Sequence, residues 1–237
     1  LSIARTLADA DPGNADAQRD LSGSLIKVGN VMVQAGAHAS AAAAFEESFT
    51  LSRSLADADP SNAVSQRDLA VSLSKIGNGK LRAGDLVGAL AAYEEHLSIV
   101  RVLAAANPES AEAQRDLSVS LGRLGDVKRE AGDIAGAFLA YSQCLYIDRK
   151  LAEADVGSTQ AQDDLSVTLD RIGQMKLSVG DRAGALSAYE QSLTVRRTQA
   201  AVDPGNAVAQ RALMIVLQRI GDLKLRDSDP DAAGAAF

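Results

Sequence analysis

The residue types that most often perform catalysis in proteins are scarce and scattered in this sequence. His38 and His96 are its two histidines and Cys144 is its one cysteine, which excludes a multi-cysteine metal site and an internal disulfide. No HExxH, paired CxxC, phosphate-loop lysine or GxSxG motif occurs. Gly-Asn-Gly at 77–79 lies within a helical pattern and does not predict a phosphate loop. We therefore expect no enzymatic activity, no metal and no cofactor.

An internal repeat dominates the sequence. The segment QRDLSGSLIKVG at 18–29 returns at intervals of 48 residues, and its copies close on Gly29, Gly77, Gly125, Gly173 and Gly221. The 237 residues hold just under five copies, and composition does not shift along the chain, so no linker is expected. The sequence predicts one array, 1–237, with these boundaries: 1–13 as the end of a preceding repeat, then 14–61, 62–109, 110–157, 158–205 and a truncated 206–237.

Each repeat reads as two helices joined by short turns. In the second repeat, leucine and isoleucine spaced three to five residues apart predict a first helix from about Asn62 to Ala83. Asn62 is a candidate cap, and Gly84-Asp85 ends this helix and caps the next. The second helix is predicted from about Leu86 to Ala105.

Small residues and rings recur at fixed places in the repeat. A glycine in mid-helix costs about 1 kcal/mol relative to alanine, so its return at Gly77 and its equivalents predicts a close helix crossing. The small partners on the second helix are Ala89, Ala137, Ala185 and Ala233. The rings beside them are Phe45, Tyr93, Tyr141, Tyr189 and Phe237. We expect these glycines, alanines and rings to have a structural packing role.

Helix pairs of this kind bury their apolar faces by stacking on neighbouring repeats. The predicted fold is therefore all-α, a right-handed α-solenoid of antiparallel helix pairs. Armadillo and HEAT arrays have similar periods and are the alternative. The recurring glycine, alanine and ring favour a different family.

At these residues the chain resembles the tetratricopeptide repeat (TPR) family. The family pattern of Leu-Gly, Gly-Asp, a small residue and an aromatic is met by Ile76-Gly77, Gly84-Asp85, Ala89 and Tyr93. The family repeat is 34 residues long, so this one is longer, and it is similar in that respect to kinesin-light-chain-type and bacterial arrays. The family's proline at the end of the second helix is replaced by Arg53, Arg101, Arg149 and Arg197.

The resemblance implies a protein-interaction scaffold that binds a peptide or protein segment on a concave groove lined by first helices. Placed on the family pattern, the candidate partner-binding residues are Asn30, Gln34, Asn78, Arg82, Asp126, Arg129, Asp170, Gln174, Asp222 and Arg226. These positions vary between repeats while the packing positions do not, although neutral drift on a solvated surface would give the same contrast. Arg123, Arg171 and Arg219 match one cation of the family's carboxylate clamp, but its other lysines are absent, so a clamp is not supported.

Charge sets the expected class of partner. With 24 Lys and Arg against 31 Asp and Glu the net charge is −7, which argues against nucleic acid, and no apolar run is long enough to span a membrane. We expect a protein or peptide partner and a cytoplasmic location. The chain begins and ends inside second helices, so we expect a segment of a longer protein, in which uncapped repeats could associate end to end. The alternative function is a structural or regulatory spacer, or a self-assembling segment, of a multidomain signalling protein.

Overall fold

The structure is a computed structural model that describes the backbone of residues 1–228 and the side chains of residues 1–225. It forms two compact units, Leu1–Asp133 and Ile134–Phe237. In the described residues every regular element is an α-helix, which confirms the predicted all-α class. The first unit contains α1 (Ser2–Ala10), α2 (Ala15–Gln34), α3 (His38–Ala58), α4 (Ala63–Arg82), α5 (Leu86–Ala106) and α6 (Ala111–Glu130). The second contains α7 (Ile134–Ala154), α8 (Thr159–Ser178), α9 (Arg182–Val202) and α10 (Ala207–Ser228).

Polar caps fix the ends of these helices where the sequence predicts them. The Asn62 side chain accepts the backbone N–H groups of Val64 and Ser65 and so begins α4. Gly84 has φ of +78°, a conformation that favours glycine, and ends α4 there. Asp85 then caps α5 by accepting Gly88 N–H at 2.8 Å. That bond, followed by the bond from Lys80, lowers the pKa of Asp85.

A lysine recurs near the end of the first helix in the last four repeats, and it pairs with an acid. Lys80 Nζ lies 3.3 Å from the capping carboxylate of Asp85, so one aspartate serves the helix end and the lysine together. Pairs of this kind on the surface contribute a few tenths of a kcal/mol each. The other pairs are Lys128 with Asp133 at 3.2 Å, Lys176 with Asp181 at 3.0 Å and Lys224 with Glu190 at 3.1 Å.

A glutamine at the start of every first helix caps the helix before it. Gln66 Nε2 donates to the carbonyl oxygen of Ala56 at 3.3 Å, which satisfies one of the carbonyls left free at the end of α3. The same bond is made by Gln18 to Ala8, Gln114 to Ala104, Gln162 to Ala152 and Gln210 to Ala200. This explains why the repeated motif opens on glutamine.

Arginine side chains also join one repeat to the next. Arg5 donates two hydrogen bonds to Glu47, at 2.6 and 2.8 Å, across 42 positions of sequence. Arg53 meets Glu95 at 2.5 Å at the same spacing, and Arg149 meets Gln191 at 2.6 Å. Arginine therefore stands at the family's proline position and contacts the following second helix.

A ring covers the mid-helix glycine of the repeat. A Cβ atom built on Gly77 would lie 2.9 Å from Cε2 of Tyr93, a side chain with no solvent exposure. The same approach recurs between Gly29 and Phe45 and between Gly173 and Tyr189. Gly125, Ala89, Ala137, Ala185 and Tyr141 are also buried.

Gly221 departs from this arrangement. It is exposed, and no described atom lies within 4 Å of a Cβ built on it, so its packing role stays a prediction. Its predicted ring Phe237 and the small residue Ala233 lie outside the described residues.

We expect Gly77→Leu to lower the free energy of unfolding by about 1–3 kcal/mol, because the new side chain would crowd the buried Tyr93 ring. Thermal and urea unfolding of the full chain measure the change.

Gly79 provides a matched control two residues away in the same helix. No described atom lies within 4 Å of a Cβ built there. Gly79→Leu should leave stability equal or raise it by up to about 1 kcal/mol, since leucine favours helix more than glycine does. Equal losses at Gly77 and Gly79 would contradict the crowding explanation.

Hydroxyl groups replace part of the aliphatic core between repeats. Ser22 Oγ lies 2.8 Å from both Ser48 Oγ and Ser52 Oγ, and all three residues are buried. In the second unit, Thr168 donates to the buried carboxylate of Asp148 at 2.7 Å. Cys144 is buried beside it, with Sγ 3.1 Å from Thr168 Oγ1. These side chains satisfy one another, which is the condition for burying polar groups.

Candidate functional site

A cleft of about 240 Å³ opens between α4 and α6, above α5. Its floor contains His96, Val100 and Leu103 of α5, and α5 packs against both flanking helices. Short side chains at Ala70 and Ala113 leave the space open. All of these elements belong to the first unit.

The walls of the cleft combine apolar and cationic side chains. Val71 and Val119 face it from α4 and α6 and are each about two-fifths exposed. Arg67, Lys75 and Arg123 line it as well, against one acid, Asp116. None of the three cations forms an ion pair within the described part of the chain. A chain of net charge −7 thus has a cleft with an excess of positive charge.

Lys75 is the cation most affected by this environment. Partial burial, and then the nearby charge of Arg82, lower the pKa of Lys75. Both effects disfavour the protonated amine, and a bound carboxylate would offset them. The cleft is therefore electrostatically suited to an anionic group beside an apolar one.

His96 closes the floor as a neutral base. Its Nδ1 lies 2.9 Å from Ser120 Oγ, and burial lowers its pKa to about 4. Other second helices have Ser48, Cys144 and Ser192 at this position, so the imidazole fills space that is smaller elsewhere. The Ser120 hydroxyl therefore satisfies one ring nitrogen of this half-buried imidazole.

The predicted groove residues do not gather in this cleft. Gln34, Arg82, Arg129 and Gln174 are exposed, while Asn30 and Asp126 are half-buried. Asn78 is occupied within the fold, donating to Ser74 O at 2.8 Å and accepting from Tyr93 Oη at 2.9 Å. The side chain of Arg226 lies outside the described residues.

The partner-binding role predicted for Asp170 also needs correction, because this side chain is buried and lies between two arginines. Its Oδ2 lies 2.8 Å from Arg196 Nη2 and 3.2 Å from Arg219 Nη1. A carboxylate engaged in this way is not presented to a partner.

Asp222 lies in a second cleft, of about 400 Å³, in the second unit. Arg219, stacked 5.7 Å from the Tyr189 ring centroid, and Leu223 line the same cleft.

The cations of the cleft between α4 and α6 could have been identified in the sequence, because they occupy positions at which basic residues recur between repeats. One position of the first helix is basic in every repeat, as Lys27, Lys75, Arg123, Arg171 and Arg219. This repetition indicates that the basic residues share a structural environment. The groove prediction relied instead on positions that vary between repeats, and those positions lie further along each helix. Arg67 has basic counterparts at Arg19, Arg115 and Arg211.

No helix of the described part is long and apolar enough to cross a membrane. Within the same part, no cluster of three or more His, Cys, Asp and Glu side chains could hold a metal ion.

No family model matches the sequence, and no curated protein matches it. Solved structures do. BtubC (BKLC) from P. vanneervenii superposes with a TM-score of 0.65 at 17% identity, over 96% of this chain and 82% of that one. The fold is that of a TPR-like helical repeat. MamA matches the TPR-like chain with a TM-score of 0.50 at 18% identity, over 84% of this chain and 87% of its own.

The yeast histone chaperone Hif1, described as a scaffold that recruits protein complexes to core histones, matches with a TM-score of 0.53 at 11% identity. The match covers 86% of this chain and 94% of Hif1. At these identities the TPR-like fold is shared, and the 48-residue repeat variant stays a prediction.

Proposed function

We propose that this protein is a non-catalytic interaction scaffold that binds a segment of a partner protein in the cleft between α4 and α6. The observation that carries the proposal is a set of three cations beside apolar walls, Arg67, Lys75 and Arg123, which form no ion pair with any residue that the structure describes. The segment presents a carboxylate to the cations and an apolar side chain to Val71 and Val119. The TPR-like fold shared with a recruiting scaffold such as Hif1 supports the class of function.

Charge complementarity makes a protein segment the favoured ligand over nucleic acid. The cations stand in one small cleft instead of a long basic surface, and the chain as a whole is acidic. The net negative charge of the protein would repel the part of a phosphate backbone that lies outside the cleft. A single acidic side chain enters the cleft without extending over that negative surface.

Peptide selection on the full chain tests this proposal. A random peptide library selected on the wild-type protein should yield sequences with Asp or Glu next to an apolar residue. Lys75→Ala with Arg123→Ala should weaken the selected peptides at least tenfold, about 1.4 kcal/mol, as measured by fluorescence anisotropy. The binding should also weaken as salt rises.

The pair Arg82→Ala with Arg129→Ala is the matched control, since it removes the same charge from exposed positions outside the cleft. We expect its affinity to stay within about twofold of wild type. Equal losses in the two double variants would show a general charge effect and would overturn the cleft as the binding site.

A second candidate function, self-association, is favoured by one observation on α1. Leu1, Ile3 and Leu7 are 48%, 76% and 57% exposed and line a shallow cleft beside α2. Sedimentation velocity over a concentration series tests it: growth in mass that Ile3→Ser with Leu7→Ser abolishes would support association through α1, and a constant monomer would exclude it.

A further inference from the structure

The outward face of α7 differs from the outward faces of the other second helices. The inward face of α7 packs into the core, with Ala137, Tyr141 and Cys144 buried. On the opposite side, Leu139 and Tyr146 are both 61% exposed, one above the other at a spacing of seven residues, and Phe138 flanks them at 45%. Phe138, Leu139, Ser142 and Tyr146 are called here the α7 patch.

Comparison of equivalent positions in the repeats shows which outward residues are larger on α7 than on the other second helices. Leu139 stands where the other second helices have Ala43, Ala91 and Ser187, and Tyr146 where they have Thr50, Ser98 and Thr194. Packing within the repeat does not require these larger side chains, because their counterparts form the same helices without them. An apolar pair has therefore been added to a face that is otherwise small and polar.

The exposed rings are concentrated at this one place. Among the described aromatic residues, those with large exposure are Phe138 and Tyr146, and both belong to the patch. Exposed valines such as Val87 and Val202 are separate residues near helix ends. A contiguous exposed apolar surface with aromatic side chains is characteristic of protein interfaces.

Charge changes at the same face. The other second helices have a glutamate at one equivalent position, Glu46, Glu94 and Glu190, where α7 has Ser142. Lys150 replaces Ser54, Val102 and Thr198, and its Nζ lies 4.6 Å from the Tyr146 ring centroid. In the last repeat a first-helix lysine pairs with this glutamate, as Lys224 does with Glu190 at 3.1 Å. Lys176, in the helix that follows α7, pairs with the capping Asp181 at 3.0 Å.

We propose that the α7 patch is a docking surface for an acidic amphipathic helix of a partner protein. Leu139 and Tyr146 supply the apolar contact, and Lys150 faces the partner's carboxylates. Ser142 stands where the other second helices have a glutamate, so α7 lacks a negative charge that would repel such a helix.

Three labelled synthetic peptides probe this surface on the full chain by fluorescence anisotropy. The first is an amphipathic helix of leucine and glutamate, the second has lysine for glutamate, and the third has serine for leucine. The first should bind at least tenfold more tightly than the other two. Binding should persist in the Lys75→Ala, Arg123→Ala variant, which separates this surface from the cleft between α4 and α6.

The variant Leu139→Ala, Ser142→Glu, Tyr146→Ser gives α7 the outward residues of α5. It should weaken the first peptide at least tenfold with an unchanged melting temperature, whereas Val102→Ser, which removes an exposed apolar residue outside the patch, should not. Unchanged affinity in the triple variant, or equal binding of the lysine peptide, would overturn the proposal. A dimer detected by sedimentation and abolished by the triple variant would also overturn it, by assigning the patch to a second copy.

Discussion

Asp170→Asn should lower the free energy of unfolding by about 3 kcal/mol, because it leaves two arginines without their shared carboxylate. Asp170 and Arg196 are each 8% exposed, and the carboxylate also lies 3.2 Å from Arg219 Nη1. Removing one partner of a buried ion pair strands the opposite charge away from water, at a typical cost of about 3–5 kcal/mol. The lower end is expected here because Arg219 keeps a third of its side chain in solvent. Urea unfolding of the second unit within the full chain measures the loss.

Two further variants separate burial from charge. Asp68→Asn breaks the Arg19–Asp68 pair, which is as short at 2.6 Å but lies at the surface, and should cost at most about 1 kcal/mol. Asp170→Leu with Arg196→Met removes the main pair together and should restore part of the stability that Asp170→Asn loses. If Asp68→Asn and Asp170→Asn cost the same, burial of the pair does not determine its contribution.

Acidification from pH 6.5 to pH 4 should destabilise the protein through His96 by about 3 kcal/mol. Burial lowers the pKa of His96 to about 4, whereas the unfolded chain has the ordinary value near 6.5. The fold therefore favours the neutral imidazole. Its contribution is complete above pH 6.5 and is lost as the pH falls toward 4, because the unfolded state binds the proton first. A protonated His96 would also join Arg67, Lys75 and Arg123 in one cleft.

The repeat itself supplies the control for this prediction. His96→Ser introduces the residue found at Ser48 and Ser192, and it leaves every carboxylate of the chain in place. The difference in unfolding free energy between wild type and His96→Ser should change across pH 6.5 to 4 and be flat above pH 7. Parallel curves over the whole range would show that His96 is not held neutral by the fold.

The helices and their ends were predictable because their causes are local. Asn62, Gly84 and Asp85 act within four residues of the helix ends that they fix, so their spacing in the sequence is enough to place α4 and α5. In the turn before α8, Val156 stands where the other copies have Pro12, Pro60, Pro108 and Pro204, and Ser158 still caps α8 by accepting Ala161 N–H. The ring that covers Gly77 was likewise indicated by its fixed distance from the glycine.

The site was less predictable because its contacts join residues from separate helices. Nothing local distinguishes the exposed Gln174 from the buried Asp170 in α8, since Arg196 and Arg219 come from other helices. The family pattern placed the groove by residue position, whereas the cleft depends on which side chains are short. Ala70 and Ala113 create that space, and a small residue gives no signal of its own in a sequence rich in alanine.

The pairs that join neighbouring repeats have a consequence for how such a gene can change length. Arg5 with Glu47 and Arg53 with Glu95 connect the same two positions of consecutive copies, and Gln66 caps α3 as Gln18 caps α1. Unequal recombination that removes or adds 48 codons in register would give each arginine and glutamine an equivalent partner from another copy. Array length can therefore vary during evolution while these arginine and glutamine contacts are kept, and a surface confined to one copy, such as the α7 patch, is gained or lost as a unit.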